Sequence, residues 1–248
     1  MSAKKKRRQI LCWKDAESLS LAAAYFFVTE CHRSIAMHGK FIVALSGGNT
    51  PKRLYQLLAT PEFSNNIPWK KVFIFFSDER FVPHTDMESN FRMVKESLLD
   101  HIPVPKKNIF PIPVNDTAKQ CAAKYEARIK KFFAGRKPVF DCLLLGVGED
   151  GHIASLFPGT NFLKKKKRLV REVWVEEKKT WRISFTFSLI NKAANIIFLV
   201  TGKEKATVVA KTLANKKEKL PLPVQLVQPG EGTTYWMLDE DAATSIKQ

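Results

Sequence analysis

The sequence contains no long apolar run and few cysteines. No stretch approaches the roughly 18 consecutive apolar residues of a membrane-spanning helix, and no apolar leader segment follows the basic start of the chain. We therefore expect a protein that is neither secreted nor inserted in a membrane, and we assign it to the cytoplasm. The four cysteines are widely scattered and form no CxxC pair, so we expect no structural zinc and no other metal site.

Linkers and internal repeats are also missing from the sequence. No segment rich in glycine, serine and proline divides the 248 residues, and a chain of this length can bury one large core. We predict a basic N-terminal tail over residues 1–9 and a single domain over residues 10–248. No exposed apolar stripe demands a partner, so we expect a monomer.

The net charge of +17 is the most unusual property of the composition. A strongly basic chain can bind nucleic acid or another polyanion, and a non-catalytic polyanion-binding protein is therefore one alternative function. However, residues 4–8 and 164–168 carry ten of the positive charges, and no aromatic residues alternate with the lysines of the second run, as base stacking would require. We interpret the runs as a solvated tail and a solvated loop, and we expect no nucleic-acid partner.

Apolar segments with strand character alternate with amphipathic helical segments along most of the chain. Short buried strands are predicted at residues 41–45, 72–76, 142–145 and 195–200. This alternation predicts an α/β fold, a doubly wound, mainly parallel sheet with helices on both faces and right-handed crossovers. The pattern within residues 164–188 indicates a small antiparallel subregion.

A polar loop follows each of these four strands, at residues 46–50, 77–80, 146–152 and 201–205. Because the carboxyl ends of parallel strands share the edge of the sheet at which α/β folds bind ligands, we expect the loops to converge. That convergence predicts a site more strongly than any single motif does.

The first loop places two glycines before a helix, which we predict to begin at residue 51. Gly47 and Gly48 can bring backbone N–H groups close to an anion, and the helix N-terminus adds partial positive charge. A plain tight turn explains the two glycines alone equally well. The loop is not a P-loop, because the glycine spacing and the Gly-Lys-Ser/Thr ending of that motif are absent.

The third loop matches GxGxxG letter for letter at residues 146–151 and is followed by His152. A dinucleotide site is disfavoured, because Pro158 would end within two turns the helix that should receive the pyrophosphate. We interpret the loop as a mount for His152. A lone histidine is more often structural than catalytic, yet its place beyond a buried strand favours a catalytic role.

Three basic residues are candidates for binding a phosphate. Arg80 and Arg182 offer guanidinium groups for two-point contact, and Lys205 offers a point charge near a helix start. Each alone is more simply explained as an ordinary ion-pairing residue. Asp78 could orient Arg80 or a substrate hydroxyl, or it could serve only as a turn or cap residue.

Together these pieces resemble the 6-phosphogluconolactonases of the oxidative pentose phosphate pathway, within the glucosamine/galactosamine-6-phosphate isomerase superfamily. Their order and spacing match over nearly the whole chain after its N-terminal tail. The resemblance implies a Rossmann-like fold of the glucosamine-6-phosphate deaminase type. The matching pieces are ALSGGNTPKRLYQLL at 44–58, FFSDERFVP at 75–83, SNF at 89–91, FDCLLLGVGEDGHIASLFPG at 140–159, the arginine strand at 182–184 and GKEKA at 202–206.

The glucosamine-6-phosphate deaminases are the nearest alternative, because they are similar in scaffold and in a glycine-rich loop ending in Asp-Gly-His. The Ala-Ser-Leu-Phe-Pro that follows His152 resembles the lactonases instead. Residues 78–80, Asp-Glu-Arg, do so too, since the deaminases have Asp-Glu-Tyr there. The sequence departs from the commonest lactonase pattern at Asn49, where serine or threonine is more usual, and in the lysine-rich insert at 164–168.

The resemblance implies hydrolysis of 6-phosphogluconolactone to 6-phosphogluconate. A lactone is an activated ester, so a base that deprotonates water and donors for the developing oxyanion suffice, and we expect no cofactor and no metal. We predict His152 as the base, oriented by either Asp150 or Asp78. The predicted substrate site joins the glycine loop to the basic candidates: Gly47, Gly48, Asn49, Thr50, Asp78, Arg80, Arg182 and Lys205.

Overall fold

The structure is a computed structural model that describes residues 7–160, 168–214 and 220–246. Within these ranges a seven-stranded parallel sheet forms the centre of the molecule, with the order β1-β10-β9-β6-β2-β3-β5. Its strands are β1 (Arg7–Trp13), β2 (Phe41–Leu45), β3 (Val72–Phe76), β5 (Ile109–Phe110), β6 (Cys142–Leu145), β9 (Asn195–Val200) and β10 (Thr233–Asp239).

Helices connect these strands and cover both faces of the sheet. Tyr235 of β10 packs on Phe26 on one face, whereas Arg8 of β1 reaches the carbonyl oxygen of Leu213 on the other. The α/β fold class predicted from the sequence is confirmed. The helices are α1 (Ala16–His38), α2 (Asn49–Ala59), α3 (Pro61–Ser64), α4 (Asn90–Val94), α5 (Ala118–Phe132), α6 (Phe187–Ile190), α7 (Ala206–Leu213) and α8 (Glu240–Ala243), and a π-helical turn, Lys95–Leu99, continues α4.

The four predicted core strands have the predicted bounds. Every residue of β2, β6 and β9 is buried, because neighbours in the sheet and layers above and below leave no face open to solvent. A strand in that position needs a continuous apolar run, which is the pattern that the sequence shows. No helix within the described ranges combines the length and apolarity needed to cross a membrane.

A second, antiparallel sheet has the order β4-β8-β7, from β4 (Asp78–Arg80), β7 (Val170–Val175) and β8 (Thr180–Phe185). It confirms the predicted antiparallel subregion, although residues 164–167 of the lysine run lie outside the described residues. Arg168, the last member of that run, forms an ion pair with Glu126, with 2.7 Å between Nε and Oε2. Strand β4 was not predicted from the sequence, because three charged residues show no strand periodicity.

The N-terminal boundary also differs from the prediction. Residues 7–9, assigned to the basic tail, belong to β1, which pairs in parallel with β10 from Arg7 to Trp13. An edge strand pairs with a neighbour on one side only and often carries charged side chains, so the start of β1 has the composition of a basic tail. Residues 1–6 lie outside the described residues.

Candidate active site

The four predicted loops meet at the carboxyl edge of the central sheet. Gly47 of the first loop lies against the side chain of Asn90, since a Cβ at Gly47 would overlap that side chain. Asn90 Nδ2 donates to the carbonyl oxygen of Asp78 in the second loop at 3.1 Å. The carboxylate of Asp78 in turn accepts a 2.7 Å hydrogen bond from Ser155 Oγ, just beyond the third loop.

Contacts with the fourth loop close this set into a ring. Lys205 Nζ lies 3.7 Å from the carboxylate of Glu149 in the third loop. The hydroxyl oxygens of Thr201 and Thr50 are 2.7 Å apart, which joins the fourth loop to the first. The convergence inferred from strand ends is therefore present in the structure.

His152 contacts Asp150. Its Nδ1 lies 2.6 Å from Asp150 Oδ1, and the same oxygen accepts a 3.0 Å hydrogen bond from the His152 backbone N–H. Of the two acids considered from the sequence, the structure brings Asp150 to the imidazole. The carboxylate of Asp78 is buried and accepts hydrogen bonds from the hydroxyl groups of Ser77 and Ser155 instead. The orienting role of Asp150 remains a prediction.

Two further residues contact the imidazole ring of His152. The ring of Phe157 packs on it at a centroid distance of 4.4 Å. Gly148 lies so close that a Cβ there would overlap the imidazole, whereas a Cβ at Gly146 would meet no atom within 4 Å. The side chain of His152 nevertheless stays 33% exposed, so water can reach it. The GxGxxG loop thus holds a histidine, as the sequence indicated.

Arg80 and Arg182 are register partners on the antiparallel strands β4 and β8. Arg80 Nη1 donates to the carbonyl oxygen of Glu88 at 2.6 Å. The Nε atoms of both arginines are buried and have no hydrogen-bond partner within the described part of the chain. Burial, and next the nearby charge of Arg80, lower the pKa of Arg182. Two adjacent, incompletely satisfied guanidinium groups can bind an anion such as phosphate.

Glu79 and Asn90 are site residues that the sequence analysis did not select. Each oxygen of the buried Glu79 carboxylate accepts two hydrogen bonds. Oε1 accepts from the backbone N–H groups of Arg80 and Asn90, and Oε2 accepts from the Phe91 N–H and from Ser89 Oγ. Burial raises the pKa of Glu79 to about 6. Asn90 Oδ1 is buried without a described partner. The signals available were the Asp-Glu-Arg and Ser-Asn-Phe pieces of the family resemblance.

The start of α2 supplies backbone donors to the same edge. The helix begins at Asn49, two residues before the predicted start, and Gly48 precedes it with a φ of 112° and no side-chain cap. The first-turn N–H groups of a helix have no partners within the helix, so a start without a side-chain cap can receive an anion. Asn49 is exposed and Thr50 half-buried at this start.

The residues described include no group of three or more histidine, cysteine or acidic side chains that could hold a metal ion. The chemistry of the site is instead that of one histidine with an acid, a half-buried pair of arginines and a helix start. This set resembles what an acyl-transfer site for a phosphorylated substrate requires, namely a base and an anion anchor.

Comparison with known proteins identifies the family. The family described as glucosamine-6-phosphate isomerases/6-phosphogluconolactonase matches residues 14–236. The chain belongs to this family. A 6-phosphogluconolactonase from Synechocystis sp. is 38% identical over 88% of this chain and 90% of its own length. A Nostoc sp. 6-phosphogluconolactonase is 36% identical, over 94% of this chain and 95% of the relative.

Solved structures agree with the family assignment. The 6-phosphogluconolactonase from Trypanosoma brucei is 29% identical and superposes with a TM-score of 0.85, covering 98% of this chain and all of the other. The family resemblance stated from the sequence motifs is confirmed. The family description names two activities, so membership of the family does not by itself distinguish a 6-phosphogluconolactonase from a glucosamine-6-phosphate isomerase. The named relatives and the geometry of the site bear on that distinction.

Proposed function

We propose that the protein is a 6-phosphogluconolactonase, which hydrolyses 6-phosphogluconolactone to 6-phosphogluconate in the oxidative pentose phosphate pathway. The observation that carries the proposal is the contact between His152 and Asp150 within the ring of loops, one of which also carries Arg80, the half-buried strand partner of Arg182. The relatives named above support the choice of lactonase over deaminase, because they match over nearly their full length and bear that name.

In this proposal His152 is the general base. Its Nδ1–H donates a hydrogen bond to the carboxylate of Asp150, which leaves the lone pair of Nε2 available to take a proton from water. The hydroxide oxygen forms a bond to the lactone carbonyl carbon and gives a tetrahedral oxyanion. When that intermediate collapses, the bond between the carbonyl carbon and the ring oxygen breaks, and the imidazolium returns its proton to the ring oxygen. General base catalysis of this kind accelerates reactions roughly 10²- to 10⁴-fold.

The phosphate of the substrate binds between Arg80 and Arg182 in this account. The two guanidinium groups are half-buried and incompletely paired among the described residues, so phosphate oxygens can supply the missing acceptors. The backbone N–H groups at the start of α2 and Lys205 provide further positive potential beside it. Anchoring a group remote from the carbonyl positions the reacting atoms and thereby lowers the barrier.

A coupled assay tests the proposal directly. Purified protein is mixed with freshly made 6-phosphogluconolactone, and the product is oxidised by an added dehydrogenase while the spontaneous hydrolysis is subtracted. We expect the lactone to disappear faster with protein than without it. Ammonia release from glucosamine 6-phosphate is measured in parallel. Ammonia release without lactone hydrolysis would contradict the proposal.

The chain is further proposed to act as a monomer in the cytoplasm. Among the described residues, the exposed large apolar side chains are scattered, apart from the neighbouring Trp174 and Trp181 and from Leu21 and Tyr25, one turn apart on α1. Scattered apolar side chains are usual on monomers. Light scattering of the purified chain at several concentrations checks the monomer, and the intracellular distribution of a tagged chain checks the compartment.

A further inference from the structure

A cleft of about 930 Å³ lies at the edge of the central sheet opposite the candidate active site. It is lined by the first residues of three neighbouring strands, Arg7 of β1, Asn195 of β9 and Thr233 of β10. These residues begin their strands, whereas the loops of the candidate active site follow strand ends. Six or seven residues of strand separate the two edges, which corresponds to roughly 20 Å.

The cleft is strongly basic. Four cationic side chains line it, and they come from four separate parts of the chain, against the single lining carboxylate of Glu231. Only Arg7 belongs to a basic run of the sequence, and the other cationic side chains reach the cleft from separate elements. The cationic residues are Arg7 of β1, Arg33 of α1, Lys137 before β6, and Lys192 after α6. Arg8 also borders the cleft, but its guanidinium donates to the carbonyl oxygen of Leu213 on the other face of the sheet.

The surrounding acids only partly balance these charges. Arg33 lies 3.4 Å from the carboxylate of Glu30, and the same carboxylate oxygen accepts a hydrogen bond from Asn195 Nδ2 at 2.9 Å. Burial, followed by the charge of Lys137, lowers the pKa of Lys192. The fold therefore holds Lys192 at a half-buried position near the charge of Lys137, which costs free energy unless an anion binds.

We propose that this cleft binds a small molecule that carries two or more phosphate groups. Guanidinium groups bind phosphate oxygens in pairs, and ammonium groups add point charges that suit a ligand with several negative charges. The cavity volume lies within the range usual for small-molecule sites. Single-stranded nucleic acid fits less well, because the lining offers one aromatic ring, Tyr235, which already packs edge-on against Phe26.

The site is separate from the proposed lactonase reaction and does not depend on it. Because Arg80 and Arg182 are expected to bind phosphate too, the test uses the full chain carrying Arg182→Gln, which weakens the competing site. Inorganic tripolyphosphate and ATP are titrated into this protein by calorimetry at about 150 mM salt, where non-specific charge attraction is screened. We expect saturable binding of one equivalent with a Kd below about 1 mM.

Variants of the cleft assign the binding to it. Adding Lys137→Gln and Lys192→Gln should weaken binding at least about tenfold, since each loses a charge-assisted contact. Lys119→Gln, on the exposed surface of α5, removes one charge outside the cleft and should leave the Kd unchanged. The Tm of each variant is measured to show that the chain remains folded.

Three outcomes would overturn the proposal. The first is the absence of saturable binding of either phosphate compound. The second is an equal loss of affinity in the Lys119→Gln control and in the cleft variants, which would mean general charge attraction. The third is binding of a single-stranded RNA oligonucleotide at the cleft while tripolyphosphate and ATP do not bind, which would assign the surface to nucleic acid.

Discussion

Arg80 and Arg182 lie directly opposite each other on strands β4 and β8, and the Nε of each is buried without a hydrogen-bond partner among the described residues. Burial and the neighbouring charge of Arg80 lower the pKa of Arg182, which means that the folded chain keeps this pair at a cost. An anion placed between them would offset that cost. The pair is therefore the most specific indication of where a substrate phosphate binds.

Replacing Arg182 by glutamine should raise the KM for 6-phosphogluconolactone by roughly 10- to 100-fold, because one or two charge-assisted hydrogen bonds to the phosphate are lost. Initial rates over a range of substrate concentrations measure this change. Gluconolactone without the phosphate is the matched control substrate, and its kcat/KM should be the same for the variant and the wild type. An unchanged KM for the phosphorylated lactone would remove Arg182 from the phosphate site.

Asp150→Asn should lower kcat roughly 10²- to 10⁴-fold with little change in KM. The amide can donate to Nδ1, which places the proton on Nε2 and leaves that atom unable to accept a proton from water. Because the side chain of Asp150 is 46% exposed, the Tm should change little. A kcat within about twofold of the wild-type value would mean that Asp150 does not orient His152.

Two glycines of the same loop provide a matched pair of substitutions. Gly148→Ala places a methyl group where the imidazole of His152 lies, so the ring must move, and kcat should fall roughly 10- to 100-fold. Gly146→Ala meets no atom within 4 Å and should keep the wild-type kcat. Steady-state kinetics of both variants checks the pair. Equal kcat values for the two variants would mean that the position of the imidazole is not critical.

Glu79 predicts a specific dependence of stability on pH. Burial raises the pKa of its carboxyl to about 6, above the value of about 4.3 in an unfolded chain. At a pH between these two pKa values, Glu79 is protonated to a greater extent in the folded chain than in the unfolded chain. The contribution of Glu79 to the free energy of unfolding is therefore largest below about pH 4 and is lost as the pH rises through 6, by roughly 2 kcal/mol in total.

Urea unfolding of the wild type and of Glu79→Gln between pH 4.5 and 6.5 checks this dependence. The variant should be less stable than the wild type at every pH, because its amide nitrogen faces two donors. Its free energy of unfolding should not show the decrease attributed to Glu79 between pH 4.5 and 6.5. Glu177→Gln, at an exposed position, is the charge-matched control. Parallel pH profiles for wild type and Glu79→Gln would show that Glu79 does not titrate in this range.

The parts of the fold that could be predicted from the sequence are those in which burial alone determines the residue types. The strand at residues 142–145 is buried on both faces, so its apolar run has few other interpretations. The same reasoning placed His152 at the ligand edge of the sheet. The family motifs added the residues around it, including Arg80 and Arg182.

The remaining features depend on partners that are distant in the sequence. The strand β1 contains two arginines and is a strand only because β10 lies beside it, and β4 is a strand only because β8 pairs with it. The choice between Asp150 and Asp78 depends on how the third loop turns. Asn90 enters the site because Gly47 leaves room for its side chain, and no local pattern reveals that contact.

The most direct test of the account is the kcat of His152→Gln on 6-phosphogluconolactone, corrected for spontaneous hydrolysis. Glutamine keeps a polar side chain of similar reach but cannot take a proton from water. The account predicts a decrease in kcat of roughly 10²-fold or more, with KM nearly unchanged because the phosphate anchor is intact. A kcat close to that of the wild type would contradict it.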